Sequence, residues 1–210
     1  MKQLFLWPFS LIMLLTLGGC SQLLLRQTCV GLATDINYCL APLPLQDKDQ
    51  LPKDQAHGAV QPASQSETQK VNLQLGETQH ELLGQMVLTP QRLTLVGLAP
   101  LGHPLFSLDY DGVRLQSEQS LLLGDEFRAE YLMALMQLMY WPLDSINASL
   151  KGGALVQEPC HAVLCRVLYP DGGKEQILSI DYSHRDPWQA RIHLRIPAVA
   201  LSMTVTPLDS

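Results

Sequence analysis

From Val71 onward, apolar and polar residues alternate with a period of two. Asn72 and Gln74 separate Val71, Leu73 and Leu75. Leu82, Met86 and Leu88 share one face of the next run, with Gly84 between them, and Leu93 and Leu95 follow, then Phe106, Leu108 and Tyr110. A pleated strand places every second side chain on one side, so the pattern predicts half-buried β-strands. Asp111-Gly112 interrupts it and predicts a two-residue hairpin turn before Val113 and Leu115 resume.

The period changes over residues 125–141. Phe127, Tyr131, Leu135 and Met139 are spaced by four, and Leu132, Met136, Leu138 and Tyr140 widen the apolar stripe almost all round. Asp125, Glu126 and Glu130 sit where a helix N-terminus favours acid. Trp141-Pro142 predicts the stop, and a second short helix is expected over 143–150. From Tyr131 to Tyr140 only Gln137 is strongly polar. A helix this apolar has to be buried by something larger than one neighbour.

Alternation then returns. Val163, Cys165, Val167 and Tyr169 lead to a Pro170-Asp171-Gly172-Gly173 turn, followed by Leu178, Ile180 and Tyr182. Trp188, Ala190, Ile192, Leu194 and Ile196 oppose Gln189, Arg191, His193 and Arg195; after Pro197, Val199, Leu201, Met203 and Val205 oppose Ala200, Ser202, Thr204 and Thr206. One apolar and one wet face is the mark of an antiparallel sheet over a single core. The expected fold is mainly β (α+β), with about nine or ten strands in a curved sheet around the apolar helices. A filled core and an open lipid cavity would produce the same alternation.

The N-terminus reads differently. Lys2 precedes an apolar stretch from Leu4 to Leu17, too short to span a bilayer but suited to a signal peptide. Leu17-Gly18-Gly19-Cys20 resembles the lipobox of bacterial lipoproteins, which implies cleavage after residue 19 and acylation of Cys20. Ser21 resembles the outer-membrane class of that family. Residues 41–70 carry four Pro and no aromatic residue, and read as a tether or as a segment packed irregularly on the body. The expected organisation is a signal peptide at 1–19, a lipidated Cys and tether with a possible disulfide loop at 20–70, and a folded domain at 71–210.

Charge and cysteine usage narrow the function. A net charge of −6 with 14 Lys+Arg argues against nucleic acid as a partner. Cys29, Cys39, Cys160 and Cys165 remain once Cys20 is set aside, an even number for an oxidising periplasm with three possible pairings. Cys160-His161 with Cys165 matches no zinc spacing, so no metal or other cofactor is expected. Ser183-His184-Arg185-Asp186 holds triad residue types, but a triad is assembled in space, and the chain has no G-x-S-x-G elbow and no Gly-rich phosphate loop. The chain is therefore not expected to be an enzyme. Arg92 and Arg114 are candidates for head-group contact or for solvated edge charge.

The strand–helix–strand order behind a lipobox is similar to the LolA/LolB fold, an open antiparallel half-barrel wrapped around apolar helices. The resemblance is sharpest over residues 95–112, LVGLAPLGHPLFSLDYDG, and over 141–150, WPLDSINASL. It is closest to a family of LolB-like lipoproteins of Gram-negative bacteria, often encoded beside aryl-polyene biosynthesis enzymes. It implies a cavity lined by Phe106, Leu108, Tyr110, Trp188, Ile192 and Met203 from strands and Leu135, Met136 and Met139 from the helix, with Met133 on the same pliable wall. It implies that the Pro100-Leu101-Gly102 loop contacts membrane or cargo, against the alternative of a buried turn leucine. That loop and the helix at 125–141 would form a gate. The implied partners are a lipid or acylated cargo, the outer membrane through the acyl anchor, and a periplasmic carrier protein. The alternative is a structural or assembly lipoprotein with a filled core and protein partners.

Overall fold

The computed structural model describes residues 28–44, 64–123 and 128–208. The proposed signal peptide, Cys20, residues 45–63 of the expected tether, and Asp125, Glu126 and Phe127 lie outside the described residues.

Strands β1 (Cys29–Ala33) and β2 (Ile36–Cys39) open the described chain. Then come β3 (Gln65–Leu75), β4 (Thr78–Leu88), β5 (Leu93–Leu98), β6 (Pro104–Tyr110) and β7 (Leu115–Gln119). Helices α1 (Ala129–Tyr140) and α2 (Leu143–Ser149) follow. The chain ends with β8 (Leu150–Lys151), β9 (Gly153–Glu158), β10 (Leu164–Pro170), β11 (Leu178–Tyr182), β12 (Ile192–Ile196) and β13 (Leu201–Pro207).

Ten strands form one antiparallel sheet in the order β7-β6-β5-β4-β3-β13-β12-β11-β10-β9, and β1-β2-β8 form a small second sheet. The large sheet is a half-barrel with free edges at β7 and β9. The two halves of the chain meet at its centre, where β13 pairs with β3 over Leu201↔Leu75 to Pro207↔Gln69. Register partners share a face, so the inner face can be followed from strand to strand. It runs through Tyr110, Leu108 and Phe106, then Leu93 and Leu95, Met86 and Leu88, and Met203 and Val205, to Ile192, Leu194, Ile180 and Tyr182. All of these are buried and join one continuous cluster with Met133, Ala134, Leu138 and Met139 of α1. The apolar circumference of α1 is thereby accounted for: the curved sheet takes one side and the N-terminal segment another.

Several local expectations are corrected. The β6–β7 connection is a four-residue loop, Asp111 to Arg114, flanked by the pair Tyr110↔Leu115. Asp111 Oδ1 accepts from the backbone N–H of Val113 and of Arg114, at 2.9 and 2.7 Å. This side-chain cap holds the wider turn and leaves Val113 exposed. Those two hydrogen bonds also hold the Asp111 carboxyl below its usual range. Trp188 is in a turn before β12, where Asp186 Oδ1 accepts from its backbone N–H, rather than on the strand itself. Val199 sits in a 3-10 turn that precedes β13 and is exposed. On β10 the inward set is Leu164, Arg166 and Leu168, the opposite phase to Cys165 and Val167. Both phases are apolar enough to be buried, so alternation alone could not orient this strand. The sheet begins at Gln65, so residues 65–70 of the expected tether are strand.

Gly97 lies inward beneath Phe106, and a Cβ there would collide with the Phe106 ring. Gly97→Val is expected to destabilise the fold by about 1–3 kcal/mol through overpacking, lowering the melting midpoint by several degrees. An unchanged thermal melt would contradict this packing.

Candidate functional site

Eight of the nine residues expected to line the interior are buried: Phe106, Leu108, Tyr110, Leu135, Met136, Met139, Ile192 and Met203. Trp188 is half-buried and stacks on Tyr140 with ring centroids 4.7 Å apart. The strands supply these positions by period two and α1 supplies its set by period 3.6, so the two patterns converge on one apolar interior.

Gln137, the polar exception on α1, is fully buried and holds the N-terminal segment. Its Oε1 accepts from the Tyr38 hydroxyl and from the Ala41 backbone N–H, both at 2.7 Å, and its Nε2 donates to the Ala41 carbonyl at 3.0 Å. The Tyr110 hydroxyl lies 3.2, 3.0 and 2.9 Å from the carbonyl oxygens of Leu40, Ala41 and Gly112. Trp141 Nε1 donates to the Pro42 carbonyl at 2.9 Å. The Tyr38 hydroxyl and the backbone of residues 40–42 are thus fastened to side chains 69 to 99 positions later. Burial, with the Asp111 charge nearby, pushes the Tyr110 hydroxyl up to about 12. Burial also raises Tyr38, Tyr140 and Tyr182. All four hydroxyls keep their protons at neutral pH and remain able to donate.

The C-terminus of α1 rests on β10 and β11. Arg166 Nη1 reaches the carbonyls of Leu138, Met139 and Trp141 at 3.0, 3.3 and 2.9 Å, and the Tyr182 hydroxyl donates to Met139 O at 2.8 Å. A cation at a helix C-terminus satisfies carbonyls that have no partner within the helix and complements the dipole. Sequence reading singled out neither Gln137 as a clamp nor Arg166. A polar residue inside an apolar helical run marks the first. A charge among alternating apolar residues, at Leu164-Cys165-Arg166-Val167-Leu168, could have found the second.

The Pro100-Leu101-Gly102 loop joins β5 to β6. Its backbone closes through Ala99 N–H to His103 O and Gly102 N–H to Ala99 O, both 2.8 Å, with Gly102 at φ 82°. Leu101 stands 89% exposed at its tip, so it is not a buried turn leucine. The β3–β4 turn, the β12–β13 turn and the segment after β7 lie at the same end of the sheet, as the registers show. Leu121 is there, 99% exposed, as are the exposed Leu75 and Val199. Gly76 N–H donates to Ala200 O at 3.1 Å and ties two of these turns together. On the inner face beside this rim, Leu73, Leu82 and Leu201 are only half-buried. The interior is sealed around α1 and grows wetter toward this rim.

The remaining candidates have local roles. Disulfides join Cys29 to Cys39 and Cys160 to Cys165, so each closes a local loop and none ties the N-terminal segment to the sheet. Ser183 Oγ accepts from Arg191 N–H, His184 Nδ1 accepts from Asp186 N–H, and Asp186 caps Trp188, so the three side chains shape the β11–β12 loop. Arg92 lies 3.7 Å from Asp109 at an exposed edge, and Arg114 is exposed.

Residues 66–209 match the family described as Protein of unknown function (DUF3261), and the chain belongs to that family. No curated protein matches it.

Proposed function

We propose that this member of the DUF3261 family is a lipoprotein of the outer membrane, anchored through Cys20 and facing the periplasm. In this reading it takes an acyl chain or another apolar cargo into the concave side of its sheet and assists its transport or insertion. It works by transfer rather than by chemistry, without cofactor or metal. The LolA/LolB likeness supports the same reading, with an acylated product such as an aryl-polyene lipid as cargo and a periplasmic carrier protein as donor.

The observation that carries the proposal is the graded exposure of the inner face. Leu73, Leu82 and Leu201 continue the buried inward rows toward a rim that ends in Leu75, Leu101 and Leu121. Exposed apolar residues gathered at the open end of a concave sheet support an interaction site for apolar partners. Each methylene removed from water contributes about 0.8 kcal/mol, so ten give roughly 8 kcal/mol before ordering costs, equivalent to about micromolar affinity. Release requires a state of lower affinity at the acceptor membrane, and the Leu101 loop and α1 are the proposed gate.

The rim is tested with Leu101→Glu combined with Leu121→Glu in the chain from Ser21 onward. Both side chains are solvated, so stability is expected to stay within about 0.5 kcal/mol of native. Association with anionic phospholipid vesicles is expected to fall at least about tenfold, since two apolar contacts are replaced by charges that the bilayer repels. Unchanged vesicle binding by a folded double variant would remove the rim from the mechanism.

A further inference from the structure

Arg166 carries more hydrogen-bonding capacity than its role at the end of α1 uses. Its side chain is on the inner face of β10, opposite Ile180 of β11, and the residue is only 7% exposed. Nη1 alone serves the carbonyls of Leu138 and Met139 in α1 and of Trp141 just beyond it. Nε is buried with no hydrogen-bond partner, and Nη2 donates to none of the described residues. Among the described residues no carboxylate forms an ion pair with it. The ion pairs among the described residues are Lys70–Glu81, Arg92–Asp109 and Arg195–Asp181, all elsewhere. The Tyr182 ring, 5.5 Å from the guanidinium carbon, and the helix dipole are its electrostatic partners.

A guanidinium presents its donors as a planar fork, and Nε with Nη2 forms the edge that receives two oxygens of one carboxylate. Among the described residues that edge meets no acceptor, on a cation that is only 7% exposed on the inner face of the sheet. We propose that Arg166 binds the carboxylate head of a single-chain amphiphile whose tail lies along the inner face. This assignment rests on the apolar-cargo reading above and adds the head-group chemistry. A neutral ester head offers the fork one carbonyl acceptor and leaves the charge uncompensated, whereas a carboxylate satisfies the fork and the charge together.

The test compares cis-parinaric acid with its methyl ester on the purified full chain, by the fluorescence each gains in an apolar site, at a pH where the acid is ionised. The tails are identical and only the head differs. The native chain is expected to bind the acid about tenfold to a hundredfold more tightly than the ester, the range for a charge-assisted bidentate contact. Arg166→Lys keeps a cation able to serve the carbonyls of α1 but loses the planar fork. It is expected to weaken acid binding about tenfold and ester binding less, so that the preference for the acid narrows. Equal affinity of the native chain for both probes overturns the head-group assignment while sparing the apolar-cargo reading. Binding of neither probe overturns both. The native comparison decides the matter even if the variant fails to fold.

Discussion

Trp141→Ala is expected to destabilise the protein by about 3–5 kcal/mol, the range for removing a large buried aromatic side chain. For a chain of this size that corresponds to a melting midpoint lower by about 10 °C or more. Trp141 is fully buried at the junction of α1 and α2. It connects three parts of the molecule: its indole N–H reaches Pro42, its own carbonyl accepts from Arg166 on β10, and its backbone N–H closes on Gln137. Trp141→Phe keeps most of the packing and loses the indole donor, and should cost about 1 kcal/mol. Thermal and denaturant melts of the two variants check both values. An alanine variant that melts within about 2 °C of native would mean the junction repacks freely, contrary to the close packing of buried cores.

Gln137→Leu is expected to cost about 2–4 kcal/mol, although leucine suits the surrounding apolar surface. The substitution strands two buried groups that now face the amide, the Tyr38 hydroxyl and the Ala41 N–H, and removes one donor from the Ala41 carbonyl, which keeps the Tyr110 hydroxyl at 3.0 Å. Each unmade buried hydrogen bond costs about 1–3 kcal/mol, and local adjustment recovers part of the sum. The characteristic readout is hydrogen exchange. Amides of residues 38–42 should lose protection well before those of β11 and β12, because Gln137 holds the former and inter-strand pairing holds the latter. Uniform loss of protection across the molecule would contradict a clamp on the N-terminal segment.

The two predictions turn on residues of different legibility. Trp141 is legible as the end of an apolar helix, since Pro142 cannot continue it. The partners of Gln137 could not be read, because Tyr38 and Ala41 are nearly a hundred residues away and no local pattern connects them. Strand faces were legible where one phase was clearly polar, as in β12, where His193 and Arg195 oppose Ile192, Leu194 and Ile196. They were illegible in β10, where both phases are apolar and Arg166 faces inward, against the rule that charge faces water. At Asp111-Gly112 the residue types mark a turn but not its width, which the Asp111 carboxylate sets by capping Val113 and Arg114. Trp188 continued an alternating pattern on paper, but a cap from Asp186 holds it in a turn. The exposure of Leu101 at the tip depends on a loop closure that residue types alone do not specify.

These features share one arrangement. The N-terminal segment and the sheet hold α1 from opposite sides, and the inner face opens toward the rim that carries Leu101 and Leu121. The central claim is that this concavity takes an apolar cargo. Native mass spectrometry of the chain from Ser21 onward, secreted into a Gram-negative periplasm and purified without detergent, tests it most directly. The account predicts a mass shift from co-purified chain-bearing molecules that is removed by organic extraction and restored by adding lipid. An unliganded mass in repeated preparations, with no uptake of an apolar dye by the folded protein, would contradict it.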